Sequence, residues 1–487
     1  MEPGYEMVIG LEVHLQLRTR TKMFCGCAAA PGGAPNSRTC PVCLGLPGAM
    51  PVLNAEAVRM AIALGLALEA RIQPRSTFYR KQYFYPDLPK GYQITQGPTA
   101  VVEAGELAVP GDPEVRGAEG EIRARIQRAH LEEDAGKNLH ETGATLVDLN
   151  RAGVPLLEVV GEPDLRSPQE ASDYLKALHR LVTFLGICDG NLEEGSFRCD
   201  ANVSLRRVGE GFGTRVEIKN LNSFNFVKRA LAWEAGRQAA LLQSGRPVEA
   251  ETRGWDADRG ETRPQRSKEA ALDYRTFPEP DLPPLDIAPE EIEAVRAGLP
   301  ELPWTRQQRW RTAFGLSAYE AGMLAQGPAF AAYFERLAAC SGLGKASANW
   351  MLGEVSRLLN LQGGSIERFG LAPETLAELL QLVEAGVVNL NDAKEAVLPE
   401  LLAGAGPAKA VVDRLGLGVL RDAAGLEALV REAVAAHPDA FAQLRAGKES
   451  LRGFFVGLVR KASGGKADPA MVQAILGQLL AAPQSQA

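Results

Sequence analysis

Met7-Val8-Ile9-Gly10-Leu11-Glu12-Val13-His14-Leu15-Gln16-Leu17 is the stretch from which the rest of the chain can be read. Apolar residues at 9, 11, 13, 15 and 17 alternate with Glu12, His14 and Gln16. A two-residue period predicts a half-buried β-strand with Glu12 and His14 side by side on one face. A carboxylate beside an imidazole can hold a divalent cation or move a proton, and it equally suits the polar face of an edge strand. The choice turns on which other polar clusters follow.

The first follows at once. Cys25, Cys27, Cys40 and Cys43 pair as Cys-x-Cys and Cys-x-x-Cys across a Gly/Pro/Asn loop. Such clustering in a chain without secretory features favours metal over disulfides, and four thiolates fill a tetrahedral shell. The expectation is a closed, structural zinc site; a redox pair or ordinary buried thiols are the alternatives.

Helical spacing over 52–70 predicts an amphipathic helix that serves the core. Next comes an aromatic and basic stretch: Phe78, Tyr79, Tyr83, Phe84 and Tyr85 interleaved with Arg80, Lys81 and Lys90. Aromatics with cations can stack on bases and hold phosphates, or form a solvated sheet edge. Residues 97–121, Gly- and acid-rich around Pro110 and Pro113, read as a variable hairpin loop. Between His130 and Asp200 the carboxylates concentrate: Glu132-Glu133-Asp134, Glu158, Glu162, Asp164, Glu193-Glu194 and Asp200. Short strand-like segments, Leu146–Leu149 and Val154–Val160, would place several of them on or beside one sheet. Converging carboxylates repel unless a cation neutralises them, and a hard ion such as Mg²⁺ is the usual partner. Glu158, set among Leu156, Leu157, Val159 and Val160, is hard to explain as mere surface.

Further strands are predicted at Cys199–Leu205 and Val216–Ser223, then a helix over 224–243. Seven prolines between Phe277 and Pro303 mark an extended linker and domain boundary. From about 305 the helical period takes over, an all-α region. Near its end Arg445, Lys448, Arg452, Arg460, Lys461 and Lys466, against Glu449, form a basic patch with Gly447, Gly453, Gly457, Gly464 and Gly465. A phosphate backbone is one partner for such a patch; solvent is the other.

At 487 residues roughly three domains of about 150 residues are expected. With 46% hydrophobic and 23% charged residues, the composition is that of a globular protein able to bury cores. The net charge of −7 argues against indiscriminate nucleic-acid binding. No apolar run approaches the roughly 18 residues of a membrane span, and Glu2 and Glu6 precede the first strand, so the expectation is a cytoplasmic protein without signal peptide. There is no Gly-x-x-x-x-Gly-Lys-Ser/Thr loop, no Gly-x-Ser-x-Gly and no His-Glu-x-x-His. P-loop ATPase, serine esterase and zincin readings fall away.

Ile9–His14, Asn36–Cys43, Tyr83–Asp87, His130–Lys137, Val147–Arg151, Gly195–Asp200 and Lys219–Ser223, in this order, closely resemble the GatB family, the tRNA-binding subunits of the bacterial aspartyl/glutamyl-tRNA amidotransferases. Ala348-Asn349-Trp350 and the 447–467 segment resemble that family's helical domain and YqeY-like tail, so the likeness spans essentially the whole chain. It implies an α+β fold: an antiparallel-sheet cradle with helices over 1–292, an all-α helical domain over 293–404, and an all-α YqeY-like tail over 405–487. It also implies a ligase forming carbon–nitrogen bonds with glutamine as amido donor. The partners would be an amidase subunit (GatA) and a small third subunit (GatC) in a heterotrimer, with misacylated tRNA(Asn) or tRNA(Gln) as substrate. The family phosphorylates the Asp or Glu side chain on tRNA with ATP, and ammonia then displaces the phosphate. By position, His14, Glu133 and Glu158 are carried over as Mg²⁺ ligands, with Glu12 and Asp200 in the same shell and Lys81 on a phosphate. Glu162 remains an alternative to Glu158, and Glu132 to Glu133. The four cysteines match the zinc-bearing form of the family; not every member keeps them. A zinc-containing tRNA-binding scaffold without chemistry is the rival, but it leaves the carboxylates unexplained. A metal-dependent phosphohydrolase leaves the tail unexplained.

Overall fold

The computed structural model describes residues 4–118, 120–267, 274–418, 423–463 and 467–481. It forms two compact units, Met1–Pro303 and Trp304–Ala487. The alternating stretch is strand β1 (Tyr5–Gln16), near the middle of a twelve-stranded sheet.

Helix α1 (Ala55–Ala67) and the short strands β2 (Arg71–Ile72) and β3 (Arg75–Ser76) come next. They lead to β4 (Phe78–Gln82), β5 (Tyr92–Gln96), β6 (Val102–Pro110), the one-turn helix α2 (Pro113–Arg116) and β7 (Glu121–Glu133). A hairpin of β8 (Lys137–Glu141) and β9 (Ala144–Asp148) precedes β10 (Pro155–Gly161). Then come α3 (Pro168–Phe184), β11 (Phe197–Arg207), β12 (Val216–Lys219) and α4 (Phe224–Gln243). Strands β13 (Glu251–Asp256), β14 (Glu261–Ser267), β15 (Phe277–Pro278) and β16 (Leu285–Asp286), and helix α5 (Pro289–Gly298), close the unit. The sheet order is β14-β13-β12-β11-β1-β10-β7-β5-β4-β15, with β6 also on β7 and β2 on β6.

Ile9, Leu11, Val13 and Leu15 are fully buried and join Ile62 of α1, Leu175 and Leu178 of α3 and Leu231 of α4 in one apolar core. Each such side chain contributes about 1.5–3 kcal/mol on burial. A shift of β1 by one residue would put Glu12 and His14 in that core instead, so the register is firmly specified. The helices are started by their own sequences. Asn54, Ser167 and Ser223 cap α1, α3 and α4 by accepting backbone N–H bonds.

The sheet departs from the expected antiparallel pattern at one pairing. β12 and β13 run parallel, Glu217 opposite Thr252, because α4 lies between them as a crossover connection. The range 97–121, expected as a hairpin loop, contains a full strand. β6 pairs with β7 from Val102 to Pro110, its Val102, Leu107 and Val109 inward and its acidic residues outward. The Gly and Pro residues masked a two-residue period there. The proline-rich stretch is likewise not a free linker: β15 pairs with β4, β16 with β3, and Ile292 and Val295 of α5 pack on the cradle core. The expected boundary at 292/293 therefore falls inside a helix.

The second unit is built of helices from Pro303–Phe314 to Pro469–Ala481. Helix Ala408–Leu415 packs with Pro373–Glu384, whose Glu378 carboxylate accepts from the Ala408 N–H at 2.9 Å. That helix belongs with the preceding ones, not with a tail beginning at 405. A separate small core, Leu426, Val430, Leu444, Phe455, Val459, Val472 and Leu476, holds the last four helices together. No helix among the described residues is long and apolar enough to cross a membrane.

Candidate active site

Three registered strands bring the polar side chains of the cradle into one row. His14 on β1 lies opposite Glu158 on β10, which lies opposite His130 on β7. Two positions along from His14 and from His130, the same face carries Glu12 and Glu132. His14 Nε2 is 3.3 Å from Glu158 Oε2, 3.7 Å from Glu132 Oε1 and 3.9 Å from Glu12 Oε1. His130 Nε2 is 3.6 Å from the same Glu158 oxygen and 3.8 Å from Glu132 Oε2. On the other side of β1, Arg198 and Asp200 of β11 stand opposite His14 and Glu12.

A cavity of about 490 Å³ opens over this face, lined among others by His14, Glu132, Lys81, Asp134, Arg198 and Lys219. Asp134 accepts from Gln16 at 2.8 Å and from Arg198 at 3.2 Å. Lys219 donates to Asp200 at 2.7 Å. Lys81 stands 4.8 Å from the ring centre of Tyr274, another lining residue.

The charges in this row perturb one another. Burial alone would lower the pKa of His14, but the Glu158 carboxylate beside it and the charge of Glu132 outweigh burial and raise it to about 9. Burial would raise Glu158; His14, with the charges of His130 and Lys81, holds it at about 2 instead. Burial and the charge of Glu158 push Glu12 up. The carboxylates around His14 thus favour its protonated form.

The cysteines form a second centre. One sulfur from each of Cys25, Cys27, Cys40 and Cys43 lies within 4.8 Å of all the others, and Cys40 and Cys43 are 3.9 Å apart. Thiolates about 2.3 Å from a central tetrahedral ion would be ~3.8 Å apart, so the sulfur set fits one. The Cys40 N–H donates to Cys43 at 3.2 Å, and the fully buried Lys22 ammonium lies 3.7 Å from the same sulfur. A hydrogen bond from Cys25, the backbone donor and Lys22 together draw the Cys43 thiol below its usual range. Lys22 also donates to the carbonyls of Arg38, at 2.7 Å, and Leu149, at 3.3 Å. The Asn36 side chain bridges this loop to Val147 and Leu149.

Residues 7–293 match the family model of the GatB/GatE catalytic domain, and residues 332–480 match the GatB domain model. The chain belongs to the GatB family. A protein of Halorhodospira halophila, named as the B subunit of aspartyl/glutamyl-tRNA(Asn/Gln) amidotransferase, is 53% identical over 476 residues, covering 97% of this chain and 98% of that one. The proteins of that name from Thioalkalivibrio sulfidiphilus and Thermosynechococcus vestitus are 52% and 48% identical, over 97% and 98% of this chain and 98% and 96% of theirs.

In this GatB-family chain the row gathers Glu12, His14 and Glu158 beneath the cavity, with Lys81 on the cavity wall. Glu133 is not among them. Strand alternation turns it to the opposite face of β7, where it pairs with buried Lys90 and accepts from the Ile94 N–H at 2.9 Å. Glu132 takes the inward place. Asp200 lies beside Glu12 but is engaged by Lys219. Glu162 lies just past the end of β10 and lines a neighbouring groove that Glu12 also lines. Sequence reasoning passed over His130, Arg198 and Lys219. All three were legible as same-face neighbours by the two-residue period: His130 with Glu132, Arg198 with Asp200, Lys219 with Glu217.

Proposed function

We propose that this chain is the tRNA-binding, ATP-using subunit of a glutamine-dependent amidotransferase, converting Asp-tRNA(Asn), Glu-tRNA(Gln) or both to the amide. The observation that carries this is the His14–Glu158–His130 row, flanked by Glu12 and Glu132 and lying under a cavity with Lys81, Arg198 and Lys219 in its wall. The relatives' shared name supports it.

A carboxylate resists attack by ammonia because its leaving group would be oxide. Phosphorylation by ATP gives a leaving group, and that transfer needs cationic stabilisation of the charge spreading over the phosphoryl oxygens. Mg²⁺, bound by Glu12, His14 and Glu158 with Glu132 beside them, would supply charge neutralisation there. The residues fit such an ion. Their ligand atoms are spaced at 3.3–3.9 Å around His14, close to the about 3.0–4.2 Å separations in an octahedron with 2.1 Å bonds. Lys81 holds a phosphate from the wall formed by β4, while Arg198 and Lys219 offer positive charge from the side of β11 and β12. Asp134 keeps Arg198 oriented. The cysteine centre takes a structural zinc. An amidase partner releases ammonia from glutamine, since this chain lacks the Gly/Ser-rich signature carrying a Ser-Ser-Lys nucleophile system. A small third subunit completes the heterotrimer, and the C-terminal helices hold the tRNA.

The test is His14→Ala in the assembled complex. It should lose ATP-dependent amidation by several factors of ten, about 1.4 kcal/mol each, with glutamine and with free ammonia alike. It should still bind tRNA and still allow the partner to cleave glutamine. Full recovery with free ammonia would instead assign His14 to ammonia delivery and overturn the activation step.

A further inference from the structure

Lys81, Arg198 and Lys219 all line the cavity, but they are not equally committed. Lys219 sits between two carboxylates, 2.7 Å from Asp200 and 3.2 Å from Glu217. Lys81 lies against the ring of Tyr274 on the β4 wall. Arg198 is different. The register of β11 on β1 places it beside His14, on the flank away from Glu158. Its guanidinium reaches Asp134 through Nη2 alone, at 3.2 Å, and Nε and Nη1 have no partner among the described residues. Asp134 cannot neutralise it. That buried carboxylate also accepts from Gln16 at 2.8 Å and from the Ala135 N–H at 3.0 Å, and it lies 3.6 Å from Arg151. Arg151 is spent on the carbonyls of Ala135, at 2.9 Å, and Gly136, at 2.6 Å. Two guanidinium groups thus share one carboxylate and keep a unit of positive charge, and Arg198 is the one that opens on the cavity. A fork held at one corner by a buried anchor is already oriented for an anion, so less entropy is lost when the anion binds.

We propose that Arg198 receives the side-chain carboxylate of the aminoacyl group on tRNA, so that the cavity holds the acid and releases its amide. This rests on the reading of the cavity as the place where that carboxylate is activated. Two kinds of anion meet there, a polyphosphate and a carboxylate. A lysine ammonium meets phosphate as a point charge, which suits Lys81. The planar guanidinium matches a carboxylate with two parallel hydrogen bonds, a geometry that lysine does not reproduce. Arg198 holds the carboxylate next to His14 and on the flank of β1 away from Glu158, whose charge would repel it. Amidation then changes what the guanidinium meets. Two charged acceptor oxygens become one neutral oxygen and an NH2 group, which sets donor against donor. The charge-assisted bonds are lost, and the amide is held at least about tenfold more weakly than the acid. Product therefore does not block the site.

The assembled complex, without ATP, is titrated with Asp-tRNA(Asn) and Asn-tRNA(Asn), with Glu-tRNA(Gln) and Gln-tRNA(Gln), and with the uncharged tRNAs. For a pair that the complex converts, the parent should bind the acid form at least about tenfold more tightly than the amide. Arg198→Gln should bring the acid form down to the affinity of the amide and leave the amide and uncharged forms unchanged. Arg198→Lys, which keeps the charge and loses the fork, should recover only part of the preference. In steady-state amidation, the KM for the acid tRNA should rise about tenfold in Arg198→Gln, and the KM for ATP should move less than about twofold. A preference that survives in Arg198→Gln, or a parent with no preference, would overturn the assignment. So would equal weakening of all tRNA forms, which marks a structural role. A raised KM for ATP with the preference intact would give Arg198 to the nucleotide phosphates instead. A parent complex that amidates none of these tRNAs would remove the reading of the cavity itself, a separate result. The parent's own preference and the Arg198→Lys variant decide the matter even if Arg198→Gln fails to fold.

Discussion

Glu132 and Glu133 show what a single position on a strand decides. They are chemically identical neighbours, yet β7 turns one to the cavity and the other to Lys90. Their substitutions should therefore fail differently. Glu132→Gln should melt close to the parent and lose amidation by more than tenfold. Glu133→Gln leaves the Lys90 charge buried and unpaired, which should cost about 3 kcal/mol and appear as a lowered melting temperature. The reverse pattern in paired melting and activity assays would contradict the placement. The sequence motif alone could not separate the two, because either residue satisfies it. The register could: Leu131 is fully buried, so its neighbours at 130 and 132 share the other face. His130 was overlooked for a related reason, since a histidine among three acids reads as a minor member until its cross-strand partner Glu158 is known.

Elements are held in place by buried polar pairs and by the cysteine centre. Glu170, in the first turn of α3, is fully buried and accepts from Arg116 at 2.7 and 2.8 Å, and from the N–H groups of Arg166 and Asp112. It thereby fastens the α2 turn between β6 and β7 to the start of α3. Burial raises its pKa, but these donors outweigh burial and hold it below the ordinary 4.5. Because the folded-state value is depressed, the pair stabilises fully above that ordinary value and loses its contribution as pH falls through the depressed one. Glu170→Gln should cost about 2 kcal/mol at pH 7, less than a fully enclosed pair because Arg116 is partly exposed. The gap from the parent should close in denaturant titrations carried below the ordinary carboxylate range; a constant gap would show that shape, not charge, is at issue. The cysteine loop acts similarly, through Lys22 and Asn36, on the segment leading into β10. Cys43→Ser should lower metal content and melting temperature together, and the folded fraction should keep its activity. Metal loss at unchanged stability would contradict a structural role. The pair spacing of the cysteines was plain in the sequence, as were β1, β10, β11 and α4. β6 and the returning strands β15 and β16 were not, because their pairing depends on distant partners and Gly or Pro obscured the local period.

At the scale of the molecule, an acidic chain with a net charge of −7 has to meet a polyanion through local surfaces. The last four helices carry the candidate surface. Arg460 and Lys461 are exposed at the end of helix Leu451–Ala462. Arg452 pairs with Glu449, and Arg445 donates to the Leu479 carbonyl at 2.9 Å while lying against Phe441. Lys466, Gly464 and Gly465, part of the same basic run, lie outside the described residues. The separate core of Leu426, Phe455 and Val472 means that these helices can be removed without opening the one before them. The cut belongs after residue 418, since one at 405 would also strip helix Ala408–Leu415 from Glu378 and disturb its neighbours. The chain ending there should bind the same metal content as the parent, keep its melting behaviour in the cradle, and bind tRNA more weakly. If the cations contact phosphates, binding of the parent releases counterions, and log affinity falls with log salt in proportion to the contacts made. Loss of the Arg460 and Lys461 contacts should flatten that slope by roughly two. Arg460→Gln with Lys461→Gln in the full-length chain should reproduce the flattening without the truncation. Weaker binding at an unchanged slope would mean that these helices hold tRNA by shape or stacking, with their cations facing solvent.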